Sequence, residues 1–392
     1  MKGEWISVAA EDGRAFAAYT SAPPKGSGPG LLVCHDVSGI GADMLALADL
    51  MAEEGYTVLM PDLLGRPDPR AELACIEAAG RALRQCPSFK GRVGIVGFGI
   101  GGRLAVTGAA ACGADCAVSY YGEGIDSAIE SIGKEGVATV LHFAEKDSPV
   151  PAEAIARISQ RKDVELYVYR DVERGFASKD SPAYRKSAAD MAYTRTLALL
   201  RKVLGPQFDL SALWERHRAC EFELRDADAT MRTMVEEPYV NHIPTMTGGF
   251  GQADLHRFYK EHFIPKSPKD MRNIPVSRTV GADRVVNEGV LCFTHDVEID
   301  WMLPGIPPTG RYVEVPIVGI ITFRGDKLAH EHIYWDQASV LVQIGLLDPA
   351  GLPVAGIETA KKVLDPSRPS NALLTRRNAL PHRARRKARP YR

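Results

Sequence analysis

A glycine stands where the sequence otherwise predicts a catalytic nucleophile. The segment GFGIGG (97–102) joins the strand-like run RVGIVGFG to the helical pattern GGRLAVTGAA. A serine or cysteine at the centre of such a segment sits on a sharp strand-to-helix turn, beside backbone N–H groups, and attacks carbonyl carbon. The central residue here is Gly99, which has no side chain and cannot form an acyl-enzyme. The segment matches the dinucleotide pattern G-x-G-x-x-G only weakly, because it lies on a middle strand without a ribose-binding acid about 20 residues further on.

Three charged residues of the first half are further candidates, by the family resemblance of residues 1–204. They are Asp36 at the end of the strand-like run GLLVCHD, Asp147 at the end of the run ATVLHFAEKD, and Arg174 in the motif VERGFASKD. Asp147 and Arg174 could clamp a substrate carboxylate or another anion, since charge-assisted contacts to a guanidinium are strong and directional. The alternative is a structural ion pair, which we favour because such pairs are common outside active sites.

In the second half, polar side chains recur at strand spacing. Along residues 291–301 the odd-numbered face is apolar except for His295, which therefore points into a core or a pocket. Along residues 327–336 one face carries four hydrogen-bonding side chains, and it is either solvated or the wall of a pocket. These are His330, His332, Tyr334 and Asp336. For the two histidines of this face we favour solvent exposure.

The same histidines could in principle hold a metal. His330 and His332, with His295 and Asp336, would offer nitrogen and oxygen ligands. Ligand type alone is a weak signal, and the sequence therefore predicts neither a metal nor another cofactor.

The elements that must position these residues change in character near residue 205. Residues 30–204 alternate short apolar runs with helical patterns, which is typical of a doubly wound parallel α/β sheet closed by a helix over about 182–204. After Gly205 and Pro206, an amphipathic helical stretch (209–235) precedes long strand-like segments, which indicates an α+β unit. We predict domains at 1–206 and 207–350, followed by an extension (351–392) with a basic, disordered tail.

The first 204 residues resemble the dienelactone hydrolase family. The shared pieces are GFGIGG, the opening stretch from CHDVSGIG to MPDLLGR, the strand end SYYGEGI, and the motifs EKDSPVP and VERGFASKDSPAY. By this resemblance Asp147 falls on the family's catalytic acid, and Asp36 on the glutamate that holds its cysteine. Gly99 and Arg174 stand where the family has its cysteine and histidine. The resemblance implies an α/β-hydrolase-like sheet with a degenerate site.

Residues from about 209 to 348 resemble the SnoaL-like polyketide-cyclase family. The pieces that carry the resemblance are FTH (293–295), PPTGR (307–311) and GDKLAHEHIYWDQASVLVQIGLL. It implies a cone of curved antiparallel sheet with helices around a pocket, in which Asp336 acts as acid/base and His295 assists it, without a metal. An apolar cone would disfavour the charged form of Asp336 and suit it to proton transfer. We expect substrate to be bound by Tyr239, His242, Trp301, His332 and Tyr334.

The composition limits the classes of partner that we expect this protein to bind. Nine Lys/Arg lie in residues 366–392 without an acid, which leaves an acidic body that is a poor nucleic-acid binder. No apolar run is long enough to span a bilayer, and the amino terminus lacks the apolar core of a secretory signal. Seven scattered cysteines without a CxxC pair suit a reducing compartment. We expect a cytoplasmic protein with a small-molecule substrate, no nucleic-acid or membrane partner, and a homodimer as an open possibility.

Three functions follow from these patterns. The leading hypothesis is an enzyme of the cyclase, isomerase, hydrolase or lyase type that uses metal-free acid/base catalysis in the second domain, with the first domain as scaffold or substrate-binding module. The second is a lactone or ester hydrolase in the first domain, with water near Gly99 oriented by Asp147 or Asp36. The third is a small-ligand binding protein without catalysis.

Overall fold

A computed structural model describes residues 3–10, 15–64, 69–132, 136–150 and 152–374. The chain divides into two compact units, Met1–Phe208 and Asp209–Arg392. Each unit has its own sheet, and each is described by itself below. In the described residues, no helix is both long and apolar enough to cross a membrane.

The first unit contains an eight-stranded sheet in the order β1-β2-β4-β3-β5-β6-β7-β8. From β4 through β8 every neighbouring pair is parallel, whereas at one edge β1 pairs antiparallel with β2 and β2 pairs antiparallel with β4. The strands are β1 (Glu4–Ala9), β2 (Ala15–Ser21), β3 (Gly28–Cys34), β4 (Thr57–Pro61), β5 (Phe89–Phe98), β6 (Cys116–Tyr120), β7 (Ala138–Lys146) and β8 (Val164–Glu173). This confirms the doubly wound α/β sheet predicted for the first half.

Helices cover this sheet because its central strands are apolar on both faces. All residues of β3 and β4 are buried, as expected for parallel strands enclosed between helices. The helices are α1 (Ala42–Glu53), α2 (Pro69–Gln85), α3 (Ile100–Thr107), α4 (Ala152–Ser159) and α5 (Lys186–Leu204), with a 3₁₀ turn at Ile125–Ser131. The closing helix α5 ends at Gly205, as predicted.

The first-unit candidate residues lie at one edge of the sheet, where the parallel strands have their carboxyl ends. Asp36 follows β3, Gly99 follows β5, Asp147 follows β7 and Arg174 follows β8. Ligands of open α/β sheets bind outside these strand ends.

The second unit is built on a six-stranded sheet in the order β10-β9-β14-β13-β12-β11. The strands are β9 (Met234–His242), β10 (Thr247–Phe250), β11 (Arg272–Val280), β12 (Arg284–Thr294), β13 (Tyr312–Arg324) and β14 (Lys327–Trp335). The antiparallel prediction is wrong for one pair, since β14 runs parallel to β9. β9 follows helical elements in the chain and is not joined to β14 by a hairpin turn, so the two strands can run parallel.

The helical stretch predicted over 209–235 is interrupted. It comprises α6 (Leu210–Arg218), a π-helical turn (Ala219–Glu223) and α7 (Ala227–Arg232), and then becomes β9. Tyr239 and His242, which follow the predicted helical stretch, lie on this strand. The remaining helical elements are α8 (Gly251–Arg257), a π-helical turn (Phe258–Phe263), α9 (Gln337–Gln343) and α10 (Glu358–Leu364).

Part of the predicted extension belongs to the second-unit core. Ala360 of α10 is buried against Val290 and Cys292 of β12. The predicted disorder of the basic tail concerns mainly residues 375–392, which lie outside the described residues.

Candidate functional site

The backbone at Gly99 has the sharp turn of a nucleophile elbow although the nucleophile is missing. Gly99 has φ of 56° and ψ of −121°, a conformation that costs energy for any residue with a β-carbon. Its neighbour Gly101 also admits no side chain, because a β-carbon there would lie 2.4 Å from the carbonyl oxygens of Cys34 and His35. The strand-to-helix turn expected from the sequence is therefore in place.

The Asp36 carboxylate occupies the space above this turn. A β-carbon added to Gly99 would lie 2.0 Å from Asp36 Oδ1. That oxygen accepts hydrogen bonds from the backbone N–H of Val37 at 2.8 Å and of Ile100 at 3.3 Å. An amide after the nucleophile and one from the loop after an inner strand form the oxyanion hole of such elbows. The Asp36 carboxylate therefore occupies the position that the oxyanion of a substrate takes in such elbows.

Arg174 lies among three carboxylates. Its Nη2 is 2.8 Å from Glu123 Oε2 and 3.7 Å from Asp36 Oδ1, while its Nη1 is 3.7 Å from Asp147 Oδ1. Nη1 also donates a hydrogen bond to the carbonyl oxygen of Tyr121 at 3.1 Å. Since acids already surround this guanidinium, a carboxylate clamp for substrate fits the geometry poorly.

Asp147 is the most buried of these carboxylates. Its side chain is fully enclosed, and within the described part of the chain neither of its oxygens has a hydrogen-bond partner. Burial raises the pKa of Asp147 to about 6, although the nearby Arg174 guanidinium acts to lower it. A carboxyl with this pKa can exchange a proton near neutral pH.

Cys34 and His35 do not replace the missing nucleophile and base. Cys34 is completely buried, and that burial raises the pKa of its thiol. His35 Nε2 accepts a hydrogen bond from the Leu63 N–H at 2.9 Å, so its Nδ1 carries the proton and donates to the Asp36 carbonyl oxygen at 2.6 Å. Both ring nitrogens are thus engaged with backbone.

In the second unit, the predicted location of Asp336 in an apolar cone is wrong. Its side chain is exposed and caps α9, accepting hydrogen bonds from the N–H groups of Ala338 at 3.0 Å and Ser339 at 3.3 Å. The physical reason is local: the residue falls between the end of β14 and the first turn of a helix, where a carboxylate satisfies free amides.

His295 is buried, as predicted, and lies just beyond the end of β12. Its Nδ1 is 3.1 Å from Thr309 Oγ1, and burial lowers the pKa of its imidazole. Neither His295 nor Asp336 lines the cavity of the second unit.

That cavity has a volume of about 140 Å³. Of the five predicted substrate-binding residues, His242 and Trp301 line it, with ring centroids 5.0 Å apart. Tyr239, His332 and Tyr334 do not: the rings of Tyr239 and His332 contact each other at 5.6 Å, and Tyr334 is exposed. Other residues of the wall include Trp214, Glu221, Tyr259, Leu291, Gly319 and Glu331.

Beside this cavity lies a buried group that the sequence interpretation missed. His217, Glu221 and Glu331, here called the His–Glu trio, place one nitrogen and two carboxylate oxygens within 4.8 Å of one another. His217 Nε2 is 3.2 Å from Glu221 Oε1 and 3.1 Å from Glu331 Oε1. The Tyr259 hydroxyl is buried near these carboxylates, and burial raises its pKa.

Two signals in the sequence could have identified this trio. His217 and Glu221 are four residues apart in a helical stretch, which places both side chains on one face. Glu331 lies on the buried side of β14 between Ala329 and Ile333, and an acid in such a row needs a partner. The sequence prediction rested on the opposite face of that strand, which carries His330, His332, Tyr334 and Asp336.

Comparison with known proteins identifies the first unit. The model of the dienelactone hydrolase family matches residues 16–85 and 68–204. Carboxymethylenebutenolidase of Pseudomonas putida is 28% identical over 228 residues, which cover 51% of this chain and 97% of that protein. A protein of Azospirillum brasilense that provisionally carries the same name is 31% identical over 230 residues, covering 51% and 99%.

Solved structures give matches of similar extent. A dienelactone hydrolase-like promiscuous phosphotriesterase from metagenomic libraries is 20% identical with a TM-score of 0.45, covering 52% of this chain and all of that one. An esterase of Pyrococcus furiosus is 16% identical with a TM-score of 0.43, covering 52% and 91%.

Proposed function

This chain belongs to the dienelactone hydrolase family, and we propose that its first unit hydrolyses a small lactone or ester with water, rather than a side chain, as the nucleophile. One observation carries the proposal: the Asp36 carboxylate is held on the elbow at Gly99 by two backbone amides. Relatives named carboxymethylenebutenolidase support a lactone as the substrate class. Attack by an enzyme thiol is not available at Gly99.

The carboxylates at this edge have distinct roles in the proposed reaction. Asp36, which is partly exposed, takes a proton from water while the water oxygen bonds to the carbonyl carbon. The Arg174 guanidinium stabilises the negative charge that develops on the carbonyl oxygen. The ring C–O bond then breaks, and Asp36 gives the proton that it took from water to the leaving oxygen, which restores its carboxylate. Asp147, which is fully enclosed, acts through its contact with Arg174 rather than on substrate.

Hydrolysis of a dienelactone and of an aryl ester by the full chain tests this proposal. We expect slow turnover by the wild type, reduced about 10²- to 10⁴-fold in Asp36→Asn, the range for loss of a general base. Asp171→Asn is the matched control, because Asp171 is exposed and pairs with Lys146 on the surface. No turnover by the wild type, or equal turnover by Asp36→Asn, would contradict it.

We also propose that the second unit is a SnoaL-like α+β unit that binds a small organic molecule. Its cavity, with His242 and Trp301 in the wall, is close in size to a cavity of about 150 Å³ that accepts benzene. A benzene-sized ligand that binds the wild type but not a variant with a filled cavity would support this function. Equal binding to both would count against it.

A further inference from the structure

We propose that His217, Glu221 and Glu331 bind a divalent transition-metal cation in the second unit. This site goes beyond the hydrolysis proposed for the first unit and shares no residue with it. All three side chains are buried and come from separate elements: α6, the following π-helical turn, and β14. A π-helical turn inside a helix often marks a functional site.

The distances within the His–Glu trio fit a common ligand sphere. Ligand atoms about 2.1 Å from a cation lie about 3.0 Å apart at a right angle and about 3.4 Å apart at a tetrahedral angle. His217 Nε2 is 3.2 Å from one carboxylate oxygen and 3.1 Å from the other. Within the described ranges, neither His217 Nε2 nor Glu331 Oε1 has a partner with hydrogen-bond geometry. His217 Nε2 therefore lies at ion-pair distance from both carboxylates, an arrangement that a cation bound between the three atoms would replace.

The Thr233 hydroxyl fixes the His217 tautomer that metal binding requires. Thr233 Oγ1 donates its only hydrogen to the Thr230 carbonyl oxygen at 2.6 Å. It must therefore accept from His217 Nδ1, which lies 2.6 Å away and carries the ring proton. Although burial acts to lower it, the Glu221 and Glu331 carboxylates raise the pKa of His217 to about 10, so the ring is protonated in the absence of a cation. A cation would displace the Nε2 proton and bind the lone pair that Nε2 then presents. Such a hydrogen bond on the far ring nitrogen is typical of ligating histidines.

Charge and ligand type select the class of cation. Two carboxylates and a neutral imidazole carry a charge of −2, which a divalent cation would cancel inside the protein. Imidazole favours zinc and iron, while carboxylates also suit manganese. A Zn²⁺, Fe²⁺ or Mn²⁺ ion fits this mixed set better than Ca²⁺ or Mg²⁺, which prefer oxygen ligands.

The site faces the cavity. Glu221, Glu331 and Tyr259 all line its wall. Three protein ligands leave coordination positions for water or substrate, as in catalytic metal sites. A cation here would polarise an oxygen atom of a molecule bound in the cavity.

Metal uptake by the tag-free full chain, stripped with a chelator, tests the site. Co²⁺ serves as the spectroscopic probe and Zn²⁺ as its competitor. We expect one equivalent of Co²⁺ to bind with visible d–d absorption, to be displaced by Zn²⁺, and to raise the melting temperature. Glu331→Gln should weaken binding at least about 10- to 100-fold, the range for loss of an outer-shell partner.

Two further variants keep the test decisive if Glu331→Gln does not fold. Thr233→Val preserves side-chain shape but removes the hydroxyl that orients His217, and it should weaken Co²⁺ binding about 10- to 100-fold. His242→Gln alters a buried histidine of the same cavity outside the trio and should bind Co²⁺ as the wild type does. The proposal fails if the stripped wild type binds no Co²⁺, or if Thr233→Val binds it with unchanged affinity.

Discussion

The Asp36 carboxylate, where it lies in this structure, leaves no room for a side chain at position 99. A β-carbon on Gly99 would lie 2.0 Å from Asp36 Oδ1 and 2.1 Å from its Cγ, far inside van der Waals contact. The elbow can therefore hold either a side-chain nucleophile or this carboxylate over its amides, and the present chain holds the carboxylate.

Gly99→Ala should lower the free energy of unfolding by about 1–3 kcal/mol, because alanine would have to adopt the positive φ of the elbow. Displacement of Asp36 adds to this loss. Urea denaturation of the purified chain measures the effect.

The contribution of Asp36 can be separated by a double-mutant cycle. In an Asp36→Ala background the clashing atoms are gone, so Gly99→Ala should cost less there than in the wild type. In an Asp36→Asn background the volume remains, and the full loss should persist. An equal cost in all three backgrounds would show that the two residues do not compete.

Burial raises the pKa of Asp147 to about 6 from the usual 3.8 of an aspartate, which should make the stability of the first unit depend on pH. Between these values the folded state binds more protons than the unfolded state, so this group's contribution falls as pH rises and is constant above about 6. The total loss is on the order of 3 kcal/mol.

Asp147→Asn removes this dependence. We expect the variant to gain stability over the wild type as pH rises from 4 to 7, measured by denaturant unfolding at each pH. The surface variant Asp171→Asn should follow the wild-type curve. Parallel curves for Asp147→Asn and wild type would mean that Asp147 is ionised in the folded state throughout this range.

Asp336→Ala separates helix capping from catalysis in the second unit. Loss of the cap on α9 should lower the free energy of unfolding by about 1 kcal/mol, while Co²⁺ affinity at the His–Glu trio stays the same. Asp336→Ser, which can still cap, should recover most of the stability. If Asp336→Ser is as unstable as Asp336→Ala, the capping explanation is wrong.

Filling the second-unit cavity should abolish binding of a small aromatic ligand. A β-carbon on Gly319 would point toward Ile321 and Ile333 at 3.1 and 3.3 Å, so Gly319→Val narrows the cavity. Titration with phenol, followed by calorimetry, should show binding to the wild type only. The control is Gly281→Val, at an exposed turn where the nearest atom is 3.6 Å from the added β-carbon.

The first unit could be predicted from sequence because its strands are continuous apolar runs. The runs GLLVCHD, RVGIVGFG and ATVLHFAEKD coincide with β3, β5 and β7, and the candidates that follow β3, β5, β7 and β8 meet at one edge. The engagement of Asp36 with the Val37 and Ile100 amides could not be predicted, since it depends on where a short side chain points after the strand has ended.

In the second unit, the spacing of residues along the sequence predicted the candidate site less well. Alternation identified the two faces of β14 but did not show which face meets the cavity, and the buried acid Glu331 lies between Ala329 and Ile333 on the face opposite the predicted one. Alternation also ceased to apply beyond Thr294, where β12 ends, although His295 is buried as expected. The partners of Glu331 lie more than a hundred positions earlier, so only the folded chain brings them together.

The glycine at the elbow also limits which substitutions could give this chain a side-chain nucleophile. A cysteine at 99 alone would meet the Asp36 carboxylate in a disfavoured backbone conformation, and a smaller residue at 36 alone would restore no nucleophile. Arg174 would have to become a base as well. A side-chain nucleophile at the elbow would thus require several coordinated substitutions, because no single change both makes room for it and supplies its base.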